Sequence, residues 1–493
     1  MSCISNLFRH YLDYRLRRID AFRRHPHEVQ QAQLKARLEA GRKTAFGHDY
    51  GLRGVQTAEE FAHRVPTFDY EAFKPYVERM LRGERSVTAP GRVGFYARSS
   101  GTTSDRSKYI PITRHSILWN HTLGMRDVVA LYLDAFPASK LLAGRTLTLG
   151  GSCRKEGDNL VGDLSAILLH ETARWGSSMR APKAVTALIA NFEEKIDRIA
   201  DECASQRITA FAGVPSWNLE LMRRVLERTG KQNLLEVWPD MELFLHGGVE
   251  FTPYRRAYRE LIPSDAMHYM ETYNASEGFF AAADDPTRDD MLLMLDYGTY
   301  YEFRRGDQIV PLEGVECGQT YAMLITSDNG LWRYEIGDTV TFTSTDPYRI
   351  RFAGRTRQYI NAFGEELIVD NADHALVEAC HKTGAVVNEY TVAPCYMSIE
   401  KQGAHEWIVE FDTPPDSVEH FAEELDKALR AVNSDYDAKR ISTIERQHLT
   451  LVERGFFLRW LRSRGKNKVP RLVSDRRIAD ELHEVMKQEA NKK

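Results

Sequence analysis

Leu7, Tyr11, Leu12, Leu16, Ile19 and Phe22 recur at helical spacing near the start of the chain, with arginines on the other face. That pattern predicts a docking helix with a solvated basic side rather than a membrane anchor. Between residues 30 and 260, amphipathic helices over 115–134, 183–205 and 216–229 alternate with short apolar runs such as TLTLGG and ITAFAG, an α/β arrangement. From about residue 290 the period shortens to two. MLLMLDYGTYYEF and QTYAMLITSDNGLWRYEIGDTVTFTS read as hairpins, with Asn329-Gly330 as a type I′ turn signal, and they imply a small β subdomain.

After Phe352 the texture changes again. A strand-loop-helix unit over 358–383, strands near 386–393 and 406–411, a helix from 417 and a strand at 447–452 predict a separate α+β domain of roughly 140 residues. The expected fold is therefore an α/β large N-terminal domain, with β-sheets flanked by helices plus the β subdomain, over residues 1–353, followed by a smaller α+β C-terminal cap over 354–493. No internal repeat or low-complexity tract interrupts it.

Charge and cysteine usage narrow the function classes. Lys plus Arg number 66 against 70 for Asp plus Glu, a net charge of -4, so the field that a nucleic-acid-coating protein needs is missing and any anion site is local. The six cysteines, at 3, 153, 203, 317, 380 and 395, are too scattered for a zinc knuckle or a CxxC pair, and a reduced cytoplasm is the expected compartment. The first residues lack the continuous apolar stretch of a signal peptide, Asp13 and Asp20 interrupt a transit-peptide pattern, and no run reaches membrane-spanning length.

Within this frame RSSGTTSDRSKYIP, residues 98–111, stands out between two predicted strands. Ser99, Ser100, Thr102, Thr103 and Ser104 offer hydroxyls, Gly101 lets backbone N–H groups turn toward an anion, and Arg106 and Lys108 add charge. The guest such a loop suits is a polyphosphate, although no GxxxxGK[ST] motif is present. Alone, the run would read as a polar surface turn.

Other stretches add chemistry. In METYNASEGFFAA, residues 270–282, Tyr273 can lie against a purine and Glu277 can take a hydrated Mg²⁺. In WRYEIGDTV, residues 332–340, Gly337 permits close approach and Asp338 can accept the hydroxyls of a ribose. FAGRTRQYINAFGEELIVDNAD, residues 352–373, places Arg355 and Arg357 at the expected domain junction, and RSRGKNKVPRLV, residues 462–473, is a basic loop before the last helix.

Taken in order, SSGTTSDRSK, HGGVEFTPY, YNASE, YEIGD, AGRTRQYINAFGEE and KNKVPR resemble the adenylate-forming acyl ligases. Among these the chain is most similar to the acyl acid-amido synthetases of the auxin-responsive family first known from plants, in a shorter, bacterial-type form. The resemblance runs across nearly the whole chain. It implies a mobile cap over an ATP site at the domain junction. It also assigns Ser99, Ser100, Thr102 and Thr103 to the phosphate loop, Tyr273 to adenine, Glu277 to Mg²⁺, Asp338 to the ribose and Lys468, at the expected spacing before Pro470-Arg471, to the cap lysine that meets the reacting phosphate. Gly101, Lys108 and Arg355 complete the candidate nucleotide-binding set. Lys468 and Glu277 are the catalytic candidates. Arg357 stands at the hinge, where many adenylating enzymes carry Asp or Lys.

The implied reaction turns a carboxylic acid and ATP into an acyl-adenylate and pyrophosphate, then transfers the acyl group to an amine, an amino acid in this family. An acyl-CoA ligase with a thiol acceptor shares the first half, and a catalytically silent nucleotide-binding protein would keep the fold. The expected partners are small-molecule acids and amino acids, with no nucleic acid and no membrane.

Overall fold

A computed structural model gives the fold and describes residues 3–99, 108–172, 177–249, 251, 254–356, 359–398, 401–464 and 469–490. Among these, twelve strands share one sheet. One half is parallel: Arg180–Ala181, Arg145–Thr148, Ile208–Gly213, Leu243–His246 and the start of His268–Ala275 follow one another in spatial order. Ile208–Gly213 and Leu243–His246, in the middle of this half, are short and almost wholly buried, as parallel strands covered by helices are. Helix Phe192–Cys203 starts where Asn191 accepts a hydrogen bond from the Glu194 N–H. Helix Pro215–Thr229 begins with proline and ends at Gly230 in the left-handed region.

The other half is antiparallel and follows the order Gly278–Ala282, Met291–Leu293, Tyr348–Arg355, Tyr334–Thr345, Thr320–Ser327, Thr299–Arg305 and Gln308–Pro311. Thus the hairpin-rich stretch after 290 continues the same sheet. Along Tyr334–Thr345 buried and less buried residues alternate, which leaves one face for the core. The two halves join at the turn between His268–Ala275 and Gly278–Ala282, and Glu277 lies in that turn. A second sheet holds Lys108–Ile112, Phe95–Ser99, Asn159–Gly162 and Cys153–Glu156.

Beyond residue 355 a three-stranded sheet of Val386–Cys395, Ala404–Thr413 and His448–Val452 carries the helices Val369–Thr383 and Val418–Val432. Its contact with the parallel half is apolar. Phe211, Phe244 and Tyr254 share one buried cluster with Ile360, Phe363 and Leu367. Ser216 Oγ donates to the Phe363 carbonyl at 3.2 Å.

Several local expectations need correction. The helix expected over 183–205 is two, Ala184–Ala187 and Phe192–Cys203, because Asn191 caps the second. Asn329-Gly330 is not a two-residue type I′ turn. Six residues separate Ser327 from Tyr334, only Gly330 and Arg333 among them have positive φ, and Asn329 is buried. The first helix, Cys3–Arg24, is not wholly solvated on its basic side: Arg15 is buried against Asp127 at 2.7 Å and Asp296 at 3.1 Å.

Candidate active site

Lys108, Tyr273, Glu277, Asp338 and Arg355 all line one cleft of about 2070 Å³. A single drug-sized ligand typically occupies about 300–1,000 Å³, so the cleft has room for two reactants. Its walls include Tyr359, Asn361 and Glu366 from beyond the large sheet.

Ser99 and Lys108 are cross-strand partners at the end of their hairpin, and the Lys108 ammonium stands 5.6 Å from the centre of the Tyr70 ring. Ser100, Gly101, Thr102 and Thr103, with Arg106, Arg357, Lys466 and Lys468, lie outside the described residues.

The strongest geometry joins three of the sequence stretches. Tyr273 donates its hydroxyl hydrogen to Asp338 Oδ2 at 2.7 Å, and Arg355 Nε donates to Asp338 Oδ1 at 2.9 Å. Asp338 and Arg355 sit opposite each other on antiparallel strands, which fixes the pair. The remaining Arg355 nitrogens reach Glu366 at 3.2 and 3.4 Å, and the guanidinium lies 5.0 Å from the centre of the Tyr359 ring. Each Asp338 oxygen accepts one hydrogen bond, and with about four acceptor sites per carboxylate there is capacity left for a ligand. Burial raises the Asp338 carboxyl, with Arg355 opposing. Burial also works against the Arg355 charge, but Glu366 and Asp338 more than restore it. The Tyr273 ring is enclosed by Phe280 and Phe352, 5.1 and 5.7 Å away between centroids.

Burial pushes the Glu277 carboxyl up to about 7, opposed by Lys108 and reinforced by Asp338. Three side chains that the sequence patterns did not assign to the site hold its turn. Asn329 Nδ2 donates to the Glu277 carbonyl at 3.1 Å. Asn120 Oδ1 accepts from the Phe279 N–H at 2.6 Å, while its Nδ2 donates to the Tyr297 carbonyl at 2.9 Å. His121 Nδ1 pairs with Asn274 Oδ1 at 3.0 Å. The signal available was the polar pair Asn120-His121 inside an otherwise apolar helix face, and the burial of Asn329 in a stretch that reads as a turn.

Two glycines permit close packing here. A side chain at Gly124 would meet the Phe279 ring at 2.5 Å, so glycine lets the helix Thr122–Ala135 lie on the strand after Glu277. A side chain at Gly247, in the HGGVEF stretch, would meet the Thr272 carbonyl oxygen at 2.3 Å. Gly248 is bound to the later part of the chain, its carbonyl accepting from Asn361 Nδ2 at 3.0 Å. His246 is buried beside them and stacks on Phe251, and burial lowers its pKa to about 3.

Met125, Val129, Leu164, Leu168 and Met179 give the cleft apolar lining, interspersed with Asp163, Thr172 and Arg180, and Arg126 lies over the Tyr11 ring at 5.7 Å. Among the described residues no cluster of three or more His, Cys, Asp or Glu is arranged for a metal ion, and no helix is long and apolar enough to cross a membrane.

The chain is similar over nearly its full length to indole-3-acetic acid-amido synthetases. It is 23% identical to GH3.8 of Oryza sativa subsp. indica, with 93% of this chain and 90% of that protein covered, and 22% identical to GH3.3 of Arabidopsis thaliana, with 93% and 91% covered. Its fold is that of the AtGH3.15 acyl acid amido synthetase solved in complex with 2,4-DB (TM-score 0.59, 17% identity, 92% of this chain and 93% of that one). It also matches a 2-hydroxyisobutyryl-CoA ligase solved with 2-HIB-AMP and CoA (TM-score 0.59, 15% identity, 95% and 93%). Models of the GH3 family N-terminal, central and C-terminal domains match residues 15–159 with 152–267, 292–355 and 370–477. The expected family is borne out, and the chain belongs to the GH3 family.

Proposed function

We propose that this protein joins a carboxylic acid to the amino group of an amino acid at the expense of ATP, with the residues gathered on the cleft as its adenylation site. Family membership makes it an adenylate-forming acyl acid-amido synthetase. The observation that carries the site assignment is that Lys108, Tyr273, Glu277, Asp338 and Arg355, drawn from four separated stretches, share one cleft, in which Tyr273 and Arg355 both bond to Asp338.

In this reading the acid's carboxylate oxygen attacks the α-phosphate of ATP, the acyl–oxygen–phosphorus linkage forms and pyrophosphate leaves. The amine nitrogen then attacks the acyl carbon, and AMP departs with the bonding electrons. A carboxylate is a poor electrophile and AMP a far better leaving group than oxide, which is why activation comes first. The Ser99–Thr103 hydroxyls, Gly101 and Lys108 hold the phosphates, while Asp338 takes the ribose with Tyr273 and Arg355 fixing its orientation. Lys468 adds positive charge where it develops in the transition state, the point at which preorganised groups act most strongly.

Glu277 suits Mg²⁺. It is one carboxylate at the turn beside Lys108, and Mg²⁺ takes one or two carboxylates and completes its shell with phosphate oxygens and water. When bound, the ion neutralises phosphate charge. Residues 1–353 are the adenylating domain and 354–493 the cap that excludes water, and the work is done in the cytoplasm.

The test is pyrophosphate release across a panel of aryl and alkyl acids, with amino acids or CoA as acceptors and mass detection of conjugates. Acid-dependent release with amide products supports the reading. Thioester products alone favour a CoA ligase, and no release with any acid removes the enzyme assignment.

A further inference from the structure

Residues Ile117–His121 form one π turn between the α-helical segments Arg114–Ser116 and Thr122–Ala135. A π turn is rare and tends to occur where its side chains serve a function. Here it carries two buried polar residues, Asn120 and His121, of which His121 lines the cleft. Asn120 is fully used, with both ends of its amide bonded to backbone. His121 is half used.

His121 is 0% exposed. Its Nδ1–H donates to Asn274 Oδ1 at 3.0 Å, which leaves Nε2 as a bare acceptor on a neutral ring. Burial keeps the ring neutral, lowering its pKa to about 4 against the opposing pull of Asn274 and Asp328. Nε2 has no hydrogen-bond partner among the described residues. The residue lines the cleft, as do Thr122, Met125 and Arg126 on the helix that follows it and the apolar Leu164 and Leu168.

We propose that His121 Nε2 is the specificity-determining acceptor of the acyl pocket, receiving a hydrogen bond from an O–H or N–H on an otherwise apolar carboxylic acid. This rests on the adenylation reading and names a substrate class within it. A pocket with an unpaired polar atom rejects an analogue lacking the matching donor far more strongly than an apolar pocket rejects one missing a methylene. Since neutral Nε2 only accepts, an acid presenting an ether or carbonyl oxygen at that point leaves it unpaired. The Asn274 bond fixes the ring plane, so the preference belongs to one position on the acid's body.

The test uses the full chain with ortho-, meta- and para-hydroxybenzoate against the corresponding fluorobenzoates, and indole-3-carboxylate against benzofuran-3-carboxylate. Binding is measured by titration calorimetry and turnover by pyrophosphate release. The expected result is a donor-to-analogue affinity ratio of about tenfold or more for at least one pair in the unmodified protein. That ratio falls to near one in His121→Leu and is partly restored in His121→Gln, whose amide oxygen accepts. Ratios near one for every pair in the unmodified protein overturn the proposal, as does a ratio that His121→Leu leaves intact. If His121→Leu fails to fold, the unmodified pair series and His121→Gln decide. A donor preference in binding without pyrophosphate release leaves His121 in place and removes the adenylation reading. Release without the preference does the reverse.

Discussion

Tyr273 and Asp338, 65 positions apart in sequence, are joined by a 2.7 Å hydrogen bond from the tyrosine hydroxyl to the carboxylate. It ties the YNASE strand to the YEIGD strand, and Arg355 completes the link on the other carboxylate oxygen.

Tyr273→Phe keeps the ring against Phe280 and Phe352 and removes only the donor. Asp338 is then held by Arg355 alone and turns away from the ribose position assigned to it. The expected outcome is ATP binding weakened about three- to tenfold, the scale of one ordinary hydrogen bond, with little change in melting temperature. Equilibrium ATP titration of the variant measures it, and unaltered affinity would detach Asp338 from nucleotide recognition.

Arg333, in the same WRYEIGD stretch, has a different task. It makes paired buried bonds of 2.8 and 2.9 Å to Glu302 and donates to the carbonyls of Ala62 and Val65. Arg333→Ala leaves Glu302 as an unpaired buried charge and is expected to cost about 3–5 kcal/mol. Removing both partners should cost less than the sum of the single losses, because the interaction is counted once in each. Urea unfolding of the two single variants and the double variant tests this, and strict additivity would refute the coupling.

Much of the architecture was legible because burial imposes a period. The alternation of Tyr334–Thr345 and the apolar run ITAFAG each declare how many faces are covered. The site motifs were legible for a related reason: small residues, hydroxyls and isolated charges are costly in a core unless a ligand or partner meets them. What stayed hidden is what long-range packing decides. Asn329 carries a hairpin signature, yet in the fold its amide spans Thr113 and Glu277, and no local pattern encodes a partner 52 residues away. Asn120 and His121 depend likewise on a strand far along the chain. Arg15 reads as one more arginine on a basic face, and only the arrival of Asp127 and Asp296 explains its burial.

Lys468 and Lys466 offer an internal comparison within one basic stretch of sequence. If the Lys468 ammonium meets the phosphate in the adenylating transition state, Lys468→Ala should lower acyl-adenylate formation by orders of magnitude while ATP affinity changes little, since a contact made only in the transition state acts on rate. Amide formation from a supplied acyl-adenylate should largely survive. Lys466→Ala should be mild in both assays. Wild-type pyrophosphate release from Lys468→Ala would reduce the loop to a solvated turn.

Glu277 gives the sharpest dependence on pH, and its two consequences run in opposite directions. Its carboxyl is raised from 4.5 to about 7, chiefly by burial. If Glu277 holds Mg²⁺ as proposed, only its carboxylate does so, and Mg²⁺ affinity and the rate of adenylation at limiting metal should climb as pH rises through about 7 and then level. Folding stability behaves the other way. Between 4.5 and about 7 the folded protein keeps a proton that the unfolded chain has already released, so this group's contribution declines with rising pH across that window and is constant above it. Glu277→Gln removes the titration while keeping the shape of the side chain. It should melt higher than the parent above neutrality, converge with it near pH 4, and lose the metal-dependent part of ATP binding at every pH. Melting curves of parent and variant from pH 4 to 9, without nucleotide, measure the first effect independently of catalysis. A constant gap between the two curves across that range would show that Glu277 titrates as an ordinary exposed carboxylate, and the metal assignment would lose its physical basis.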